Sequence, residues 1–222
     1  MKIREIHRWD VTPKEAIRIQ KDLARKITLK NSFAKIKLIA GCDVAFTKEK
    51  AYAAVIILEY PSLKIVEEVT TFSKINFPYI SGLLTFREAP ALLSAIKKLK
   101  NVPDIFLFDG QGIAHPRRMG LATHLGIILN KTSIGCAKSP LYGSYRQPPE
   151  IKGRYTLIKD KGEVIGAVLR SKKAVKPVFV SPGNGIDLKT AIKITLSTTL
   201  NYRLPEPTRL AHHLASDSKS SR

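Results

Sequence analysis

The sequence is poor in cysteine and in long apolar runs, and each shortage excludes a class of protein. Only Cys42 and Cys136 occur among 222 residues, which excludes a disulfide framework or a cysteine-rich metal knuckle. Both lie in apolar runs, so we expect small buried side chains. The longest apolar run covers residues 52–58, whereas a membrane-spanning helix needs about 20 apolar residues. The N-terminus also lacks an apolar signal core, so the sequence predicts a cytoplasmic protein with no membrane partner.

Acidic residues are scarce relative to basic ones. Asp and Glu number 18 against 38 Lys and Arg, which leaves a net charge of +20. A surface of this sign attracts polyanions, above all nucleic acid. Hydrophobic residues make up 44% of the chain. That is an ordinary share for a globular protein, so the composition excludes a mostly disordered chain.

The residue patterns predict a single α/β domain in which helices flank one mixed sheet. Strand-like runs at 37–46, 51–59 and 65–73 are joined by connectors too short for a crossover, so we expect an antiparallel meander. From residue 104 onward short strands alternate with helices, which predicts parallel pairing through right-handed crossovers. We expect four segments along the chain: an N-terminal helix at 12–28, a core at 37–143, further strands and a helix at 144–213, and a frayed tail at 216–222.

Three acidic residues occupy positions that predict more than solvated charge. Asp43 lies inside an apolar strand, where a carboxylate needs a partner such as a metal ion. Asp109 ends the apolar run 105–108, and ligand sites in open α/β sheets lie at the carboxyl ends of strands. Glu88 lies at the start of a predicted helix, where the helix dipole alone favours an acid. The three carboxylates together would suit Mg²⁺ or Mn²⁺. Taken singly, each acid is also explained as an edge-strand, turn or helix-end residue.

Two cations and one apolar segment suggest contacts with nucleic acid. Lys138 and His115 follow strand ends, and loop cations beside carboxylates suit phosphate binding. Solvated surface charge is the alternative for both. Residues 78–82 (PYISG) form a stiff aromatic segment that, if exposed, would wedge between bases. A packed loop tip is the alternative for that segment.

Together these residues resemble the motifs of the endonuclease V family of DNA repair nucleases. The resemblance covers most of the chain in order, and the stretches are specific jointly although no single one is. The matching stretches are 40–46 (AGCDVAF), 78–88 (PYISGLLTFRE), 109–117 (DGQGIAHPR), 135–143 (GCAKSPLYG) and 204–212 (LPEPTRLAH). The resemblance implies a ribonuclease H-like fold, which agrees with the mixed sheet that the strand pattern predicts.

The resemblance also implies an activity, namely Mg²⁺-dependent hydrolysis of DNA near a deaminated base, chiefly deoxyinosine. Members of the family cut the second phosphodiester bond on the 3′ side of the lesion and leave 3′-hydroxyl and 5′-phosphate ends. We expect Mn²⁺ to substitute for Mg²⁺ and the protein to be a monomer. Some members act on inosine in RNA, so inosine-containing RNA stays open as a partner.

By the same resemblance, the acidic residues form a metal site. Asp43 and Asp109 would hold the metal, Glu88 would complete the carboxylate cluster, and His212 would add a ligand. Lys138 would contact the scissile phosphate. The catalytic residues implied are therefore Asp43, Glu88, Asp109 and Lys138.

The resemblance further implies a wedge and a lesion pocket. Tyr79, between Pro78 and Ile80, would fill the space that a displaced base leaves. Ser81 stands where the bacterial pattern usually has a second proline, which leaves the preference for DNA over RNA undecided. A pocket for the displaced base, or further DNA contacts, would come from Gly82, Leu84, Gly110, Gly112 and His115.

Three other functions remain open at this point. The chain would alternatively be an inosine-specific ribonuclease, another ribonuclease H-like nuclease acting on hybrids or branched DNA, or a non-catalytic nucleic-acid-binding protein. The acidic cluster argues against the last, because buried acids weaken phosphate binding unless a cation intervenes.

Overall fold

The computed structural model describes Met1 and residues 3–221. Within those residues, five helices and eight strands follow one another along the chain. Their bounds are α1 (Pro13–Ala24), β1 (Leu38–Phe46), β2 (Lys50–Glu59), β3 (Ile65–Lys74), α2 (Leu84–Lys97), β4 (Ile105–Phe108), α3 (Leu121–Leu129), β5 (Thr132–Ala137), β6 (Tyr155–Asp160), β7 (Glu163–Leu169), β8 (Val178–Asn184), α4 (Leu188–Ser197) and α5 (Glu206–Ser220). In the described part of the chain, no helix combines the length and the apolar character needed to cross a membrane.

All eight strands form one sheet, in the order β3-β2-β1-β4-β5-β8-β7-β6. The predicted meander is confirmed, because β1, β2 and β3 pair in antiparallel fashion. The predicted parallel section is confirmed as well, since β4 pairs in parallel with both β1 and β5. Strands β6 to β8 extend the same sheet in antiparallel fashion. The sheet therefore continues past residue 143, where the sequence led us to end the core.

Helix α1 begins as its sequence predicts and ends earlier than expected. Thr12 and Glu15 form a reciprocal capping box, in which the side chain of each accepts from the backbone N–H of the other. The expected helix at 12–28 stops at Ala24. Thr28 is instead tied to the end of β8, where its N–H donates to the Asn184 side chain and its carbonyl accepts from Gly185. These tertiary bonds replace the helical bonds that the last turn would have made.

Strand β1 divides its side chains between two cores. Ala40 and Cys42 pack with the buried faces of α2 and α3, whereas Ile39 packs with α4. The buried state expected for Cys42 and Cys136 is confirmed, and both are free thiols. Because successive side chains alternate across a sheet, Gly41 and Asp43 share the face of Ile39.

Helix α5 covers that face of β1, and the sequence did not predict it. A Cβ added at Gly41 would lie 1.9 Å from the carbonyl oxygen of Pro207, so only glycine permits this approach. The prediction of a frayed tail at 216–222 is wrong for residues 216–220, which are helical. Its last residue, 222, lies outside the described residues. The contact with β1 supplies the packing that this polar helical segment lacks on its own.

Candidate active site

Two parallel strands bring Asp43 and Asp109 side by side. Cys42 in β1 pairs with Phe108 in β4, and the Asp109 N–H donates to the Cys42 carbonyl at 3.2 Å. Asp43 and Asp109 each follow one member of this pair directly, so they lie next to each other on neighbouring strands. Asp109 ends its strand, as the sequence predicts, whereas Asp43 is still inside β1.

Helix α5 adds His212 to the two aspartates. His212 Nδ1 lies 2.6 Å from Asp43 Oδ2, and ligand atoms of Asp43, Asp109 and His212 all lie within 4.8 Å of one another. The neighbouring His213 is exposed and outside this group. Two carboxylate oxygens suit a hard divalent cation, and an imidazole nitrogen is a ligand that first-row metals accept. The donor set therefore fits a metal ion.

Glu88 lies near this group without belonging to it. Helix α2 begins at Leu84, so Glu88 is in its second turn and not at its start, as the sequence had suggested. Its side chain is buried, with 8% of the residue exposed. Burial, followed by the charges of Asp43 and Asp109, raises the pKa of the Glu88 carboxyl well above its usual range. Glu88 is thus close enough for the charges of both aspartates to raise its pKa. Among the described residues, however, the group whose ligand atoms lie within 4.8 Å of one another consists of Asp43, Asp109 and His212, without Glu88.

The electrostatics of the two aspartates differ. Burial and the charge of Asp109 raise the pKa of Asp43, while the hydrogen bond from His212 opposes that shift. Asp109 instead forms an ion pair with Lys138, whose Nζ lies 2.5 Å from Asp109 Oδ2. Lys138 follows β5 directly, at the same edge of the sheet. Lys138 is thus the cation in direct contact with Asp109, and a bound metal ion would further offset the charge of the clustered acids.

A cavity of about 530 Å³ opens beside Asp109 and Lys138. This volume lies within the roughly 300–1,000 Å³ typical of ligand sites. Besides those two residues, its wall consists of the segment before α2, the turn after β4 and the loop after β5: Tyr79, Ile80, Ser81, Gly82, Leu84, Thr85, Gly110, Gln111, His115, Gly120, Leu121, Ala137, Ser139, Pro140 and Leu141. Four of the five residues expected in a lesion pocket therefore meet there, namely Gly82, Leu84, Gly110 and His115.

Gly112, the fifth of those residues, lies elsewhere. A Cβ added there would lie 2.0 Å from the carbonyl oxygen of Pro182, so Gly112 serves the close packing of its turn against β8. It is not part of the cavity wall. The glycine pattern alone does not distinguish a residue that approaches a ligand from one that approaches a neighbouring strand.

The structure places His115 inside the cavity wall and not at an exposed position, so a role as a phosphate-binding cation stays a prediction that its burial does not favour. The residue is buried, and burial lowers the pKa of His115 to about 4. Nε2 donates to the Gly82 carbonyl at 2.8 Å, and Nδ1 accepts from the backbone N–H of Arg117 at 3.1 Å. A neutral imidazole satisfies both bonds, so His115 holds the cavity wall together.

The predicted wedge is exposed. Tyr79 is 73% exposed, the largest exposed fraction among the exposed large hydrophobic side chains. Pro78 is also exposed, whereas Ile80 is partly buried against the cluster of Phe77, Leu83 and Phe86. We call residues 78–80 the wedge segment. Its tyrosine therefore projects from an anchored base at the mouth of the cavity.

Comparisons with known proteins agree on one family. A family model described as Endonuclease V matches residues 21–213. A protein named Endonuclease V from Kosmotoga olearia is 48% identical over 215 residues, covering 96% of this chain and 95% of its own. The structure of an endonuclease V from Bacillus subtilis superposes with a TM-score of 0.94 at 36% identity, and the match covers 100% of both chains.

The chain belongs to the endonuclease V family. An endonuclease V from Ciona intestinalis was solved in complex with a 24mer DNA containing an inosine followed by a ribo-adenosine. That structure matches this one with a TM-score of 0.83 at 31% identity, covering 94% of this chain and 98% of the relative. The family resemblance and the fold class expected from the sequence are confirmed.

This endonuclease V family member also contains supporting residues that the sequence did not reveal. Gln111 Nε2 donates to the Ser139 carbonyl at 2.9 Å and so ties the turn after Asp109 to the loop of Lys138. Gln20 in α1 is fully buried and donates to the Gly82 carbonyl at 3.0 Å. Its signal was a polar residue on the otherwise apolar stripe of α1.

Proposed function

We propose that this protein is a DNA repair endonuclease that hydrolyses the second phosphodiester bond 3′ to deoxyinosine. The products would carry 3′-hydroxyl and 5′-phosphate ends. The observation that carries the proposal is the convergence of Asp43, Asp109 and His212 within 4.8 Å, beside a cavity and an exposed tyrosine. Membership of the endonuclease V family supports it, as does the inosine-containing DNA bound by the Ciona intestinalis relative.

The proposal includes Mg²⁺ as the metal, with Mn²⁺ as a substitute. Asp43, Asp109 and His212 would hold the ion, with Glu88 as a further carboxylate beside them. When bound, such an ion activates water and neutralises charge that develops on the phosphate. The carboxylate oxygens favour Mg²⁺ and Mn²⁺ over softer metals.

Lys138 would bind the scissile phosphate. Its ammonium pairs with Asp109 at 2.5 Å, so it is held within the site and only partly exposed. A phosphate oxygen placed at this point competes with the Asp109 carboxylate for the same donor. Because a charge-assisted hydrogen bond to phosphate is strong, Lys138 would orient the phosphate next to the acidic group.

Tyr79 would fill the gap in the duplex, and the cavity would receive the displaced base. Enzymes that act at a single base commonly rotate it out of the stack, and an aromatic side chain restores part of the lost stacking. Gly82, Leu84 and Gly110 border the cavity, and the two glycines have no side chain there to obstruct a base. These groups would contact the base edge at short range.

The test is a cleavage assay on end-labelled duplexes of one sequence. The duplexes differ only in a single deoxyinosine, and each is incubated with Mg²⁺, with Mn²⁺ or with chelator. A matching RNA strand that contains inosine runs alongside, because the DNA-to-RNA rate ratio identifies the preferred substrate. Asp109→Asn should abolish nicking and retain duplex binding, whereas Asp22→Asn, an exposed position on α1, should cleave like the native protein.

A metal-dependent nick at the second linkage 3′ of the inosine supports the proposal. Equal cleavage of undamaged hybrids or branched DNA would instead favour a different ribonuclease H-like nuclease. Folded protein that binds DNA and never cuts it would favour a non-catalytic nucleic-acid-binding protein. The expected monomer remains a prediction, which sedimentation of the protein alone and with DNA would test.

A further inference from the structure

A second cavity, of about 720 Å³, adjoins the first. Residues 138–140 line both cavities, so the loop that carries Lys138 is the wall between them. The far side of the second cavity is formed by the loop between β7 and β8. Phe179, near the start of β8, pairs with Ala137 at the end of β5, and β5 runs parallel to β4, so this loop lies at the same edge of the sheet as Asp109.

The cations of the second cavity outnumber its acids. Arg170, Lys176, Arg203 and Lys138 line it, against the single carboxylate of Glu150. Arg170 is buried and builds the wall. Its guanidinium donates to the backbone carbonyls of residues 148, 149 and 175. The cations left to meet a ligand are therefore Lys176, which is exposed, and Arg203.

Arg203 is an incompletely satisfied cation in this wall. Its Nη2 donates to the carbonyl oxygens of Lys138 at 2.5 Å and Pro177 at 2.7 Å. Its Nε is buried and has no hydrogen-bond partner among the described residues. Buried donors are nearly always paired in folded proteins, so an unpaired one needs an explanation. An anion in the cavity would not reach the buried Nε itself, but it would stabilise the desolvated charge of the guanidinium.

We propose that the second cavity binds the phosphodiester of the substrate strand that lies next beyond the scissile bond in the 3′ direction. The inference rests on the proposed function, which sets the displaced base in the first cavity and the scissile phosphate at Lys138. A strand that runs from lesion to cut in the 3′ direction then continues past Lys138. The first surface it reaches there is the wall of Lys176 and Arg203.

The test neutralises one phosphate and one side chain at a time. Deoxyinosine duplexes carry a single methylphosphonate at the third linkage 3′ of the inosine, or none, and binding is measured in chelator so that no cleavage occurs. The proteins are the native chain, Lys176→Gln and Lys64→Gln. Lys64 is an exposed lysine in the β2–β3 connector. It lies at the opposite edge of the sheet, because Glu59 at the end of β2 pairs with Leu38 at the start of β1.

The native chain should bind the methylphosphonate duplex about 5- to 10-fold more weakly, since one cation–phosphate contact is lost. Lys176→Gln should bind the unmodified duplex more weakly by a similar factor and respond less than about twofold to the methylphosphonate. Its salt dependence should fall by about 0.9 in slope, the amount for one phosphate contact. Lys64→Gln should behave like the native chain.

Two results would overturn the inference while leaving the proposed function intact. One is an equal methylphosphonate penalty in Lys176→Gln and the native chain, and the other is no penalty in the native chain. Both proteins are also assayed for inosine-dependent nicking with Mg²⁺. Loss of inosine-dependent nicking in the native chain would remove the proposed function, and this inference with it.

Discussion

Replacing Gln20 with leucine should loosen the wedge segment without altering any residue of the cavity wall. The carbonyl oxygen of Gly82 accepts three hydrogen bonds: from Gln20 Nε2 at 3.0 Å, His115 Nε2 at 2.8 Å and Arg117 Nη2 at 2.8 Å. Gln20 also donates to the Met119 carbonyl at 3.1 Å and accepts from Arg117 Nε at 2.6 Å. Gly82 has φ +78°, a left-handed turn that leads from the wedge segment into α2.

The expected cost follows from these contacts. Gln20→Leu removes two neutral hydrogen bonds, each worth about 1 kcal/mol, and one to a guanidinium, worth about 1.5–3 kcal/mol. Burial of the leucine side chain returns about 1–2 kcal/mol. A net loss of about 3 kcal/mol corresponds to a decrease in Tm of roughly 6–12 °C for a chain of this size. Lys21→Leu places the same side chain one residue later, at an exposed position, and should leave Tm within about 2 °C.

The functional consequence of Gln20→Leu should be a higher KM with an unchanged kcat. The Gln20 side chain does not line the cavity, so the chemical step should proceed normally once the substrate is bound. A less ordered Tyr79 loses stacking, so KM for an inosine duplex should rise several-fold at temperatures where the variant is folded. Scanning calorimetry and steady-state nicking measure the two effects. An unchanged Tm with unchanged KM would refute the assignment of Gly82 as the anchor of the wedge segment.

Two further predictions concern the metal site and pH. Gly41→Ala should displace α5, because the new Cβ would lie 1.9 Å from the Pro207 carbonyl oxygen. His212 would then separate from Asp43, so Mn²⁺ affinity by titration calorimetry should fall at least tenfold, whereas an unchanged Kd would contradict this account. His115 has a folded-state pKa of about 4, and an unfolded-state imidazole titrates near ~6.5. Between these values the unfolded chain binds more protons, so stability falls as pH falls, by roughly 2 kcal/mol from pH 7 to pH 5. Urea unfolding of His115→Gln should show a shallower pH slope, and an identical slope would disprove the neutral imidazole.

The strand order near the site was largely predictable from local patterns. The connectors between the strand-like runs at 37–46, 51–59 and 65–73 were too short for a crossover, so they allowed only antiparallel neighbours. The apolar run that ends at Asp109 indicated both a buried strand and its carboxyl edge. These features are encoded within about ten residues of one another, so a single sequence reveals them.

Features that depend on contacts distant in sequence were not predictable. The His212 contact requires α5 to pack on β1, which joins residues 169 positions apart. Segment 206–220 has Pro207 in its first turn, and its apolar residues are limited to Leu210, Ala211, Leu214 and Ala215, so no packed helix was predicted there. Burial of His115 and the position of Glu88 in the second turn of α2 likewise depend on neighbours from other elements.

The basic residues of this chain suit phosphate binding, whereas its clustered acids suit metal binding, and the two would conflict at a single place. A net charge of +20 attracts a polyanion, but the acids of the candidate site repel phosphate. A site of acids alone would hold a cation and weaken substrate binding, whereas one of lysines alone would bind phosphate and exclude the metal. The pairing of Lys138 with Asp109 would resolve the conflict, because one ammonium stabilises the carboxylate before binding and would be available to a phosphate oxygen afterwards. The basic wall of the adjoining second cavity would attract the strand at a distance from the proposed metal ligands, and so would not compete for them.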